Sequence, residues 1–229
     1  MSPVAANLER IRARIAGAAR RAGRDPAEVR LCAVTKTVGP EEVREAVAAG
    51  VRILGENRLQ VAAPKIREVG ELPPGVEWHF IGPLQGNKAR RAVGLFAEIQ
   101  SVDRLSLAER ISRIAGESGR VVPVLLEVKT SGEPAKHGFA LEEVEGMLDP
   151  VEALPGIAVR GLMTMAPFTQ DEEPVRAAFR ALRELRDSLG GAARLPDLSM
   201  GMTGDFEIAV EEGSTMVRIG TGIFTPGEE

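Results

Sequence analysis

The chain has 229 residues, of which 44% are hydrophobic and 27% charged, and its net charge of −4 argues against a nucleic-acid-binding protein held by phosphate contacts. No apolar run approaches the roughly 20 residues that span a bilayer, and the N-terminal segment lacks the apolar core of a signal peptide, so we expect no membrane association. One cysteine, Cys32, excludes an internal disulfide and indicates a cytoplasmic protein.

The first predicted element is an N-terminal helix. Ser2 can cap it, Pro3 suits its first turn, and its apolar stripe consists of Leu8, Ile11 and Ile15. A stripe with this spacing is typical of a helix that buries one face. The sequence therefore predicts an extra helix before the first strand.

Eight short apolar runs then alternate with seven segments of helical period. The runs cover residues 29–36, 51–56, 77–82, 97–102, 121–129, 157–165, 196–201 and 215–224. Strands that alternate with helices in this number form a (β/α)₈ TIM barrel, whose typical length is ~250 residues. A doubly wound open sheet is the alternative, but no glycine-rich dinucleotide fingerprint follows the first strand. We predict an α/β protein in which residues 1–229 form a single TIM-barrel domain.

The first strand ends at Lys36, and functional residues of barrels lie at the carboxyl ends of strands. Lys36 shares strand parity with Cys32 and Val34, so its side chain is expected to face the barrel interior. An apolar mouth removes hydration from the charged amine, and the neutral amine is the nucleophile that forms a Schiff base with a carbonyl. The alternative is a lysine that extends from the strand end into solvent.

A glycine-containing turn follows the seventh predicted strand. Residues 199–206, "SMGMTGDF", run from a strand through a Gly-x-x-Gly turn into a short helix, which leaves backbone N–H groups available to a phosphate. The alternative is an ordinary strand-to-helix turn. Asp205 would repel an anion, so we expect its carboxylate to point away from the ligand.

The eighth predicted strand leads into a second turn of this kind, "RIGTG". Gly220 allows close backbone approach, Thr221 adds a hydroxyl, and Arg218 could face the pocket. The alternative for Arg218 is a salt bridge inside the barrel, with Glu127 as the candidate partner. One lysine amine and two phosphate-type turns together describe a site for a phosphorylated aldehyde, of which pyridoxal 5'-phosphate is the commonest.

Five motifs in order resemble the pyridoxal phosphate homeostasis protein family. They are "AVTKT" (33–37), "LGENRLQ" (54–60), "WHFIGPLQGNK" (78–88), "GLMTMAP" (161–167) and "SMGMTGDFEIAVEEGSTMVRIGTGIF" (199–224). Members of this family are single-domain barrels related to the N-terminal domain of alanine racemase, the type III fold of pyridoxal phosphate proteins. The resemblance covers nearly the whole chain, with departures at Arg58 and Thr225.

The resemblance assigns roles to residues of this sequence. Lys36 is similar to the lysine that carries the cofactor as a Schiff base, and Arg218 to the arginine that faces the pyridine nitrogen. The remaining residues resemble the phosphate site and the pocket wall: Ser199, Met200, Gly201, Thr203, Gly220 and Thr221 for the former, and Asn57, His79 and again Met200 for the latter.

The function that the resemblance implies is intracellular homeostasis of pyridoxal phosphate, by reversible binding on Lys36 and transfer to apoenzymes, without robust turnover. Racemisation needs a second acid–base group; the related racemases use a tyrosine, and this chain has none. An arginine opposite the pyridine nitrogen also makes the ring a weaker electron sink.

Two enzymatic alternatives remain open from the sequence. One is a racemase or decarboxylase with His79 or His137 as the missing base, and the other is a Schiff-base aldolase that uses Lys129. Residues 133–139, with Lys136, are predicted to form a basic loop over the pocket. We further expect a monomer, no metal site, and transient contacts with apoenzymes.

Overall fold

The described structure, a computed structural model, covers residues 2–130 and 137–225 and contains a closed parallel barrel. The strands are β1 (Arg30–Val34), β2 (Ile53–Glu56), β3 (Glu77–Phe80), β4 (Glu98–Val102), β5 (Val122–Lys129), β6 (Phe139–Ala140), β7 (Ile157–Met163), β8 (Asp197–Ser199) and β9 (Met216–Ile219). They pair in the order β4-β3-β2-β1-β9-β8-β7-β5, and β4 pairs with β5 to close the circle. The predicted (β/α)₈ fold is confirmed; the short β6, which pairs with the end of β5, was not predicted.

Helices surround the barrel. They are α1 (Pro3–Arg21), α2 (Pro40–Ala48), α3 (Leu59–Val69), α4 (Ala89–Leu95), α5 (Leu105–Glu117), α6 (Leu141–Glu152), α7 (Glu172–Ser188), α8 (Gly191–Arg194), α9 (Phe206–Glu211) and α10 (Thr221–Phe224). None of the helices within residues 2–130 and 137–225 combines the length and the apolar character needed to cross a membrane.

The extra helix α1 begins where the sequence predicts. The Ala5 amide donates to Ser2 Oγ at 3.3 Å, and the apolar stripe of the helix is buried. Asn7 also lies on the buried side, and its side-chain amide donates to the carbonyls of Ile223 at 2.9 Å and Thr225 at 3.2 Å. Helix α1 therefore packs against the last described residues of the chain, which follow β9.

Two separate apolar regions stabilise the barrel. A large one fills the layer between strands and helices, and a small one inside the barrel consists of Cys32, Ile53 and Met216 with Ile81 packed against it. Much of the remaining interior is polar, because strand residues of the inward parity include Glu98, Gln100, Ser199 and Arg218. A polar interior requires that its groups bond to one another, and Glu98, Gln100, Ser199 and Arg218 are linked in this way.

Candidate functional site

Lys36 lies in a turn after β1 and not inside the barrel. The Thr35 amide donates to the Gly55 carbonyl at 3.0 Å, and the Val38 amide donates to the Thr35 carbonyl at 3.2 Å, which closes a turn with Lys36 at its second position. Strand alternation therefore stops before Lys36, and the predicted burial of its side chain is wrong: the side chain is exposed. Within the described residues it makes no hydrogen bond or ion pair, so its amine is open to a ligand.

The two predicted phosphate turns, after β8 and β9, lie side by side. Thr203 Oγ1 and Thr221 Oγ1 are hydrogen-bonded at 3.1 Å, and the Gly222 amide donates to Thr203 Oγ1 at 3.4 Å. Across the described parts of the chain, no acceptor is bonded to the backbone N–H groups of Thr203, Gly204, Gly220 and Thr221. Adjacent free N–H groups are the donors that an anion needs.

The path of the first turn depends on Gly201. Its φ is +94°, and a Cβ there would lie 2.6 Å from the Cβ of Ala209. Asp205 closes the turn by accepting the Met202 amide at 2.5 Å, as expected for a carboxylate that is not aimed at a ligand. Burial raises the pKa of Asp205, and the Met202 amide opposes that rise.

The second turn lies against the end of β1. A Cβ on Gly220 would lie 3.3 Å from the Val34 carbonyl oxygen and 3.4 Å from the Val34 Cβ. Strands β1 and β9 are paired from Arg30 with Met216 to Ala33 with Ile219. The free N–H groups of this turn therefore belong to the same part of the barrel mouth as the Lys36 turn.

Arg218 is buried inside the barrel below these turns. Its guanidinium donates to Ser199 Oγ at 2.7 Å and to the Thr164 carbonyl at 2.8 Å. Ser199 Oγ in turn donates to Gln100 Oε1 at 2.7 Å. The alternative partner, Glu127, forms no ion pair with Arg218 in the described structure, so Arg218 is positioned by neutral acceptors and keeps its charge available.

His79 is buried inside the barrel, and both its ring nitrogens face protein groups. Nδ1 lies 3.0 Å from Gln100 Nε2 and 3.1 Å from Glu98 Oε1, and Nε2 lies 3.5 Å from Glu77 Oε2. Burial alone would lower the pKa of His79, but hydrogen bonds to Glu77 and Glu98 outweigh it and raise that pKa. The second histidine, His137, is exposed, with Nδ1 3.7 Å from Asp103 Oδ2.

Met200 and Asn57 were both predicted to line the cofactor pocket; the structure contradicts this for Met200, and for Asn57 it stays a prediction. The Met200 side chain has the parity opposite to Ser199 and is fully buried in the layer between strands and helices, so the prediction that it lines the pocket is wrong. Asn57 is half-buried and borders a cavity of about 700 Å³ that also contacts Phe80 and His137. Gly82 packs against Asn57, whose carbonyl oxygen would lie 2.3 Å from a Cβ at that position.

Several polar residues near the mouth were assigned no role by the sequence analysis. Gln100 and Thr164 bond Ser199 and Arg218, and Thr35, Glu56 and Lys65 form a buried cluster beside the Lys36 turn. One signal was available for Lys65. It follows Leu59 and Ala62 at intervals of three residues, which places it on the buried face of α3.

Glu127, on β5, is a buried carboxyl whose Oε2 has no hydrogen-bond partner among the described residues. Burial, and secondarily the charge of Asp103, raise the pKa of Glu127 to about 7, although Arg218 opposes the rise. Between pH 4.5, the ordinary pKa of glutamate, and about pH 7, Glu127 is therefore protonated in the folded state and ionised in the unfolded state. The group's contribution to stability is present below pH 4.5 and is lost as the pH rises through 7.

We expect Glu127→Gln to remove this pH dependence. At pH 5 the variant and the parent protein should have similar free energies of unfolding, whereas at pH 8 the variant should be more stable by on the order of 3 kcal/mol, because it carries no buried charge. Urea unfolding at pH 5, 6, 7 and 8 measures the difference. The raised pKa of His79 also makes stability fall as the pH rises, but it does so equally in both proteins and therefore cancels in the difference between their free energies of unfolding. If the free energies of unfolding of the two proteins differed by the same amount at every pH, Glu127 would not be the group with the raised pKa.

Comparison with known proteins places this chain in a family. Residues 6–226 match the family described as alanine racemase, N-terminal domain. The chain is 46% identical to the pyridoxal phosphate homeostasis protein of Pseudomonas aeruginosa, covering 98% of this chain and 96% of that protein. It is 43% identical to the protein of the same name from Aquifex aeolicus, covering 95% of each. The chain belongs to the pyridoxal phosphate homeostasis protein family.

A solved structure supports the same grouping. PipY of Synechococcus elongatus, determined with pyridoxal phosphate bound, superposes with a TM-score of 0.83 and is 39% identical, covering 96% of this chain and 99% of that one. Of the loop predicted at residues 133–139 in this member of the pyridoxal phosphate homeostasis protein family, residues 133–136 lie outside the described residues, Lys136 among them. Lys129, the lysine of the aldolase alternative, is half-buried at the end of β5.

Proposed function

We propose that this chain binds pyridoxal 5'-phosphate covalently through Lys36 and serves homeostasis of that cofactor, by buffering it and supplying it to apoenzymes. The observation that carries the proposal is the exposed Lys36 amine beside two joined turns with free N–H groups. The amine suits an aldehyde, and the N–H groups suit a phosphate. A ligand that carries both an aldehyde and a phosphate group is a phosphorylated aldehyde.

The residues present fit this cofactor. When bound, it supplies an aldehyde that condenses with a primary amine. Thr203, Gly220 and Thr221 would hold the phosphate through backbone N–H and hydroxyl groups, and Gly201 gives the turn its path. Arg218 would meet the pyridine nitrogen as a donor whose charge is not neutralised by an ion pair, because its own acceptors are a hydroxyl and a carbonyl.

We propose binding without robust turnover. A racemase needs acid–base groups on both faces of the ring, and the chain has no tyrosine. His79, the first substitute, has both ring nitrogens engaged inside the barrel. Charged Arg218 opposes protonation of the ring nitrogen, which weakens the ring as an electron sink. His79 and Asn57 then act as wall residues and not as catalytic ones.

The test is an absorbance spectrum of the purified protein with added pyridoxal phosphate, before and after borohydride, followed by peptide mapping. We expect a visible band that borohydride removes, and a label on Lys36. A colourless mixture, or a label on another lysine, would contradict the proposal. Exchange of amino-acid α-protons in deuterated water at enzymatic rates would favour the racemase alternative instead.

The remaining parts of the proposal concern the cell compartment, the oligomeric state and the contacts with apoenzymes. We propose that the chain acts in the cytoplasm as a monomer of one barrel domain and that its contacts with apoenzymes are transient. A chain with one cysteine can form no internal disulfide, which suits a reducing compartment. Burial inside the barrel raises the pKa of the Cys32 thiol to about 12, so the thiol is unreactive. Size-exclusion chromatography with light scattering, with and without a model apoenzyme, measures these contacts.

A further inference from the structure

A buried ionic cluster borders the turn that carries Lys36. Lys65 Nζ, on α3, donates to Glu56 Oε1 at 2.7 Å and to the Thr35 carbonyl at 2.5 Å. Thr35 Oγ1 donates to the same Glu56 oxygen at 2.6 Å. The side chains of Lys65 and Glu56 are 7% and 0% exposed. Each of the three residues thus contacts the other two, away from bulk water.

The Thr35 carbonyl joins this cluster to the turn. It accepts hydrogen bonds from Lys65 Nζ and from the Val38 amide, and Lys36 and Thr37 are the two residues of the turn that lie between Thr35 and Val38. No contact among the described residues orients the Lys36 side chain, so the backbone of the turn sets the direction in which its amine extends. Lys65 holds the carbonyl on which that backbone depends.

Stability alone does not account for the cluster. Burying two charges costs hydration, and apolar side chains of similar volume commonly replace a buried ion pair without loss of stability. In addition, Glu56 Oε2 is buried and has no hydrogen-bond partner in the part of the chain that the structure describes. What an apolar pair could not supply is a charged donor aimed at the Thr35 carbonyl.

We propose that Lys65 and Glu56 are positioning residues for the cofactor site: Glu56 holds Lys65, Lys65 fixes the Thr35 carbonyl, and the fixed turn presents the Lys36 amine. The inference rests on the proposed function, in which Lys36 carries the cofactor. Lys65 is not a second attachment point, because its Nζ is buried and bonded to two oxygens.

The test uses the neutral double variant Lys65→Met/Glu56→Gln, which removes the donor to Thr35 and leaves no unpaired charge. The matched control is Ser112→Ala, which deletes a buried hydrogen bond of 3.0 Å to the Gly156 amide, at the opposite end of the barrel. Three quantities are measured: the melting temperature without cofactor, hydrogen exchange of the peptide that contains residues 35–38, and absorbance titration with pyridoxal phosphate followed by borohydride mapping.

We expect the double variant to melt near the parent temperature, to exchange faster at residues 35–38, and to bind the cofactor roughly tenfold more weakly, the effect of losing one charge-assisted hydrogen bond. Ser112→Ala should melt lower and bind like the parent protein. A purely structural role would instead move melting temperature and affinity together in all variants.

Parent affinity and exchange in the double variant would overturn the positioning role. Absence of label on Lys36 in the parent protein would overturn the proposed function instead, so the two failures are distinguishable. If the double variant does not fold, Thr35→Val removes only the hydroxyl donor to Glu56 and is expected to weaken binding roughly threefold; unchanged affinity in that variant overturns the proposal.

Discussion

Replacing Lys36 by alanine is expected to abolish the borohydride-stable label and to weaken binding of pyridoxal phosphate by roughly a hundredfold or more. The reason is that the turns after β8 and β9 would still offer hydrogen bonds to the phosphate, but the covalent attachment is lost. Because the Lys36 side chain is exposed and has no partner among the described residues, the melting temperature of the cofactor-free protein should not change. Absorbance titration and thermal unfolding of the same preparation measure both effects.

The matched control is Lys88→Ala, which removes a half-buried lysine that lies between β3 and α4 and borders the same cavity as Asn57, and so tests whether a neighbouring amine can replace Lys36. We expect it to bind and label like the parent protein. An undiminished visible band in Lys36→Ala, or an equal loss in Lys88→Ala, would show that attachment does not depend on Lys36.

Replacing Arg218 by methionine is expected to weaken cofactor binding more than tenfold and to lower the free energy of unfolding by about 2 kcal/mol. The methionine fills most of the space but leaves Ser199 Oγ and the Thr164 carbonyl without their donor inside the barrel. It also removes the charge that opposes the raised pKa of Glu127. The pH midpoint at which Glu127 costs stability should therefore move above 7.

Arg30→Met is the control for this variant. Arg30 also bonds a residue of another strand, because its guanidinium donates to Asp197 of β8 at 2.5 Å. It lies at the start of β1, however, and is partly exposed. We expect normal cofactor binding and a loss of stability of about 1 kcal/mol, because the Arg30 side chain is 43% exposed although the Asp197 side chain is only 12% exposed. If Arg218→Met bound the cofactor as tightly as Arg30→Met, Arg218 would have no role in the site.

The fold was predictable because its signals are local. Apolar runs of strand length alternate with amphipathic helices, and the cap at Ser2 with Pro3 after it marks the start of α1. Each of the eight predicted runs contains a barrel strand. The two-residue β6 has no such signal, since Phe139 and Ala140 become a strand only by pairing with the end of β5.

The site was predictable only in part. Lys36, Arg218 and the two turns stand out by residue type at strand ends. The burial of Lys36 was wrong because the parity rule was extended past Val34, where the strand ends. The prediction that Met200 lines the pocket was wrong because Met200 follows Ser199, whose side chain faces inward, so the Met200 side chain points outward.

Contacts between elements could not be read from the sequence. The approach of Gln100 to Ser199, and of Lys65 to Thr35, depends on strand stagger and helix placement, which no local pattern encodes. Residue type alone left Arg218 with two candidate environments; in the described structure it has hydroxyl and carbonyl acceptors and no ion pair with Glu127, while its role toward the cofactor stays a prediction.

The pairing of β1 with β9 has a consequence during protein synthesis. Lys36 is translated early, but the turns at Thr203 and Thr221 reach it only after the last strand has left the ribosome and inserted beside the first. Under the proposed function, a nascent chain exposes the Lys36 amine before the two turns have assembled, and we expect it not to retain pyridoxal phosphate. Under this proposal, we expect stable cofactor binding only after the barrel has closed.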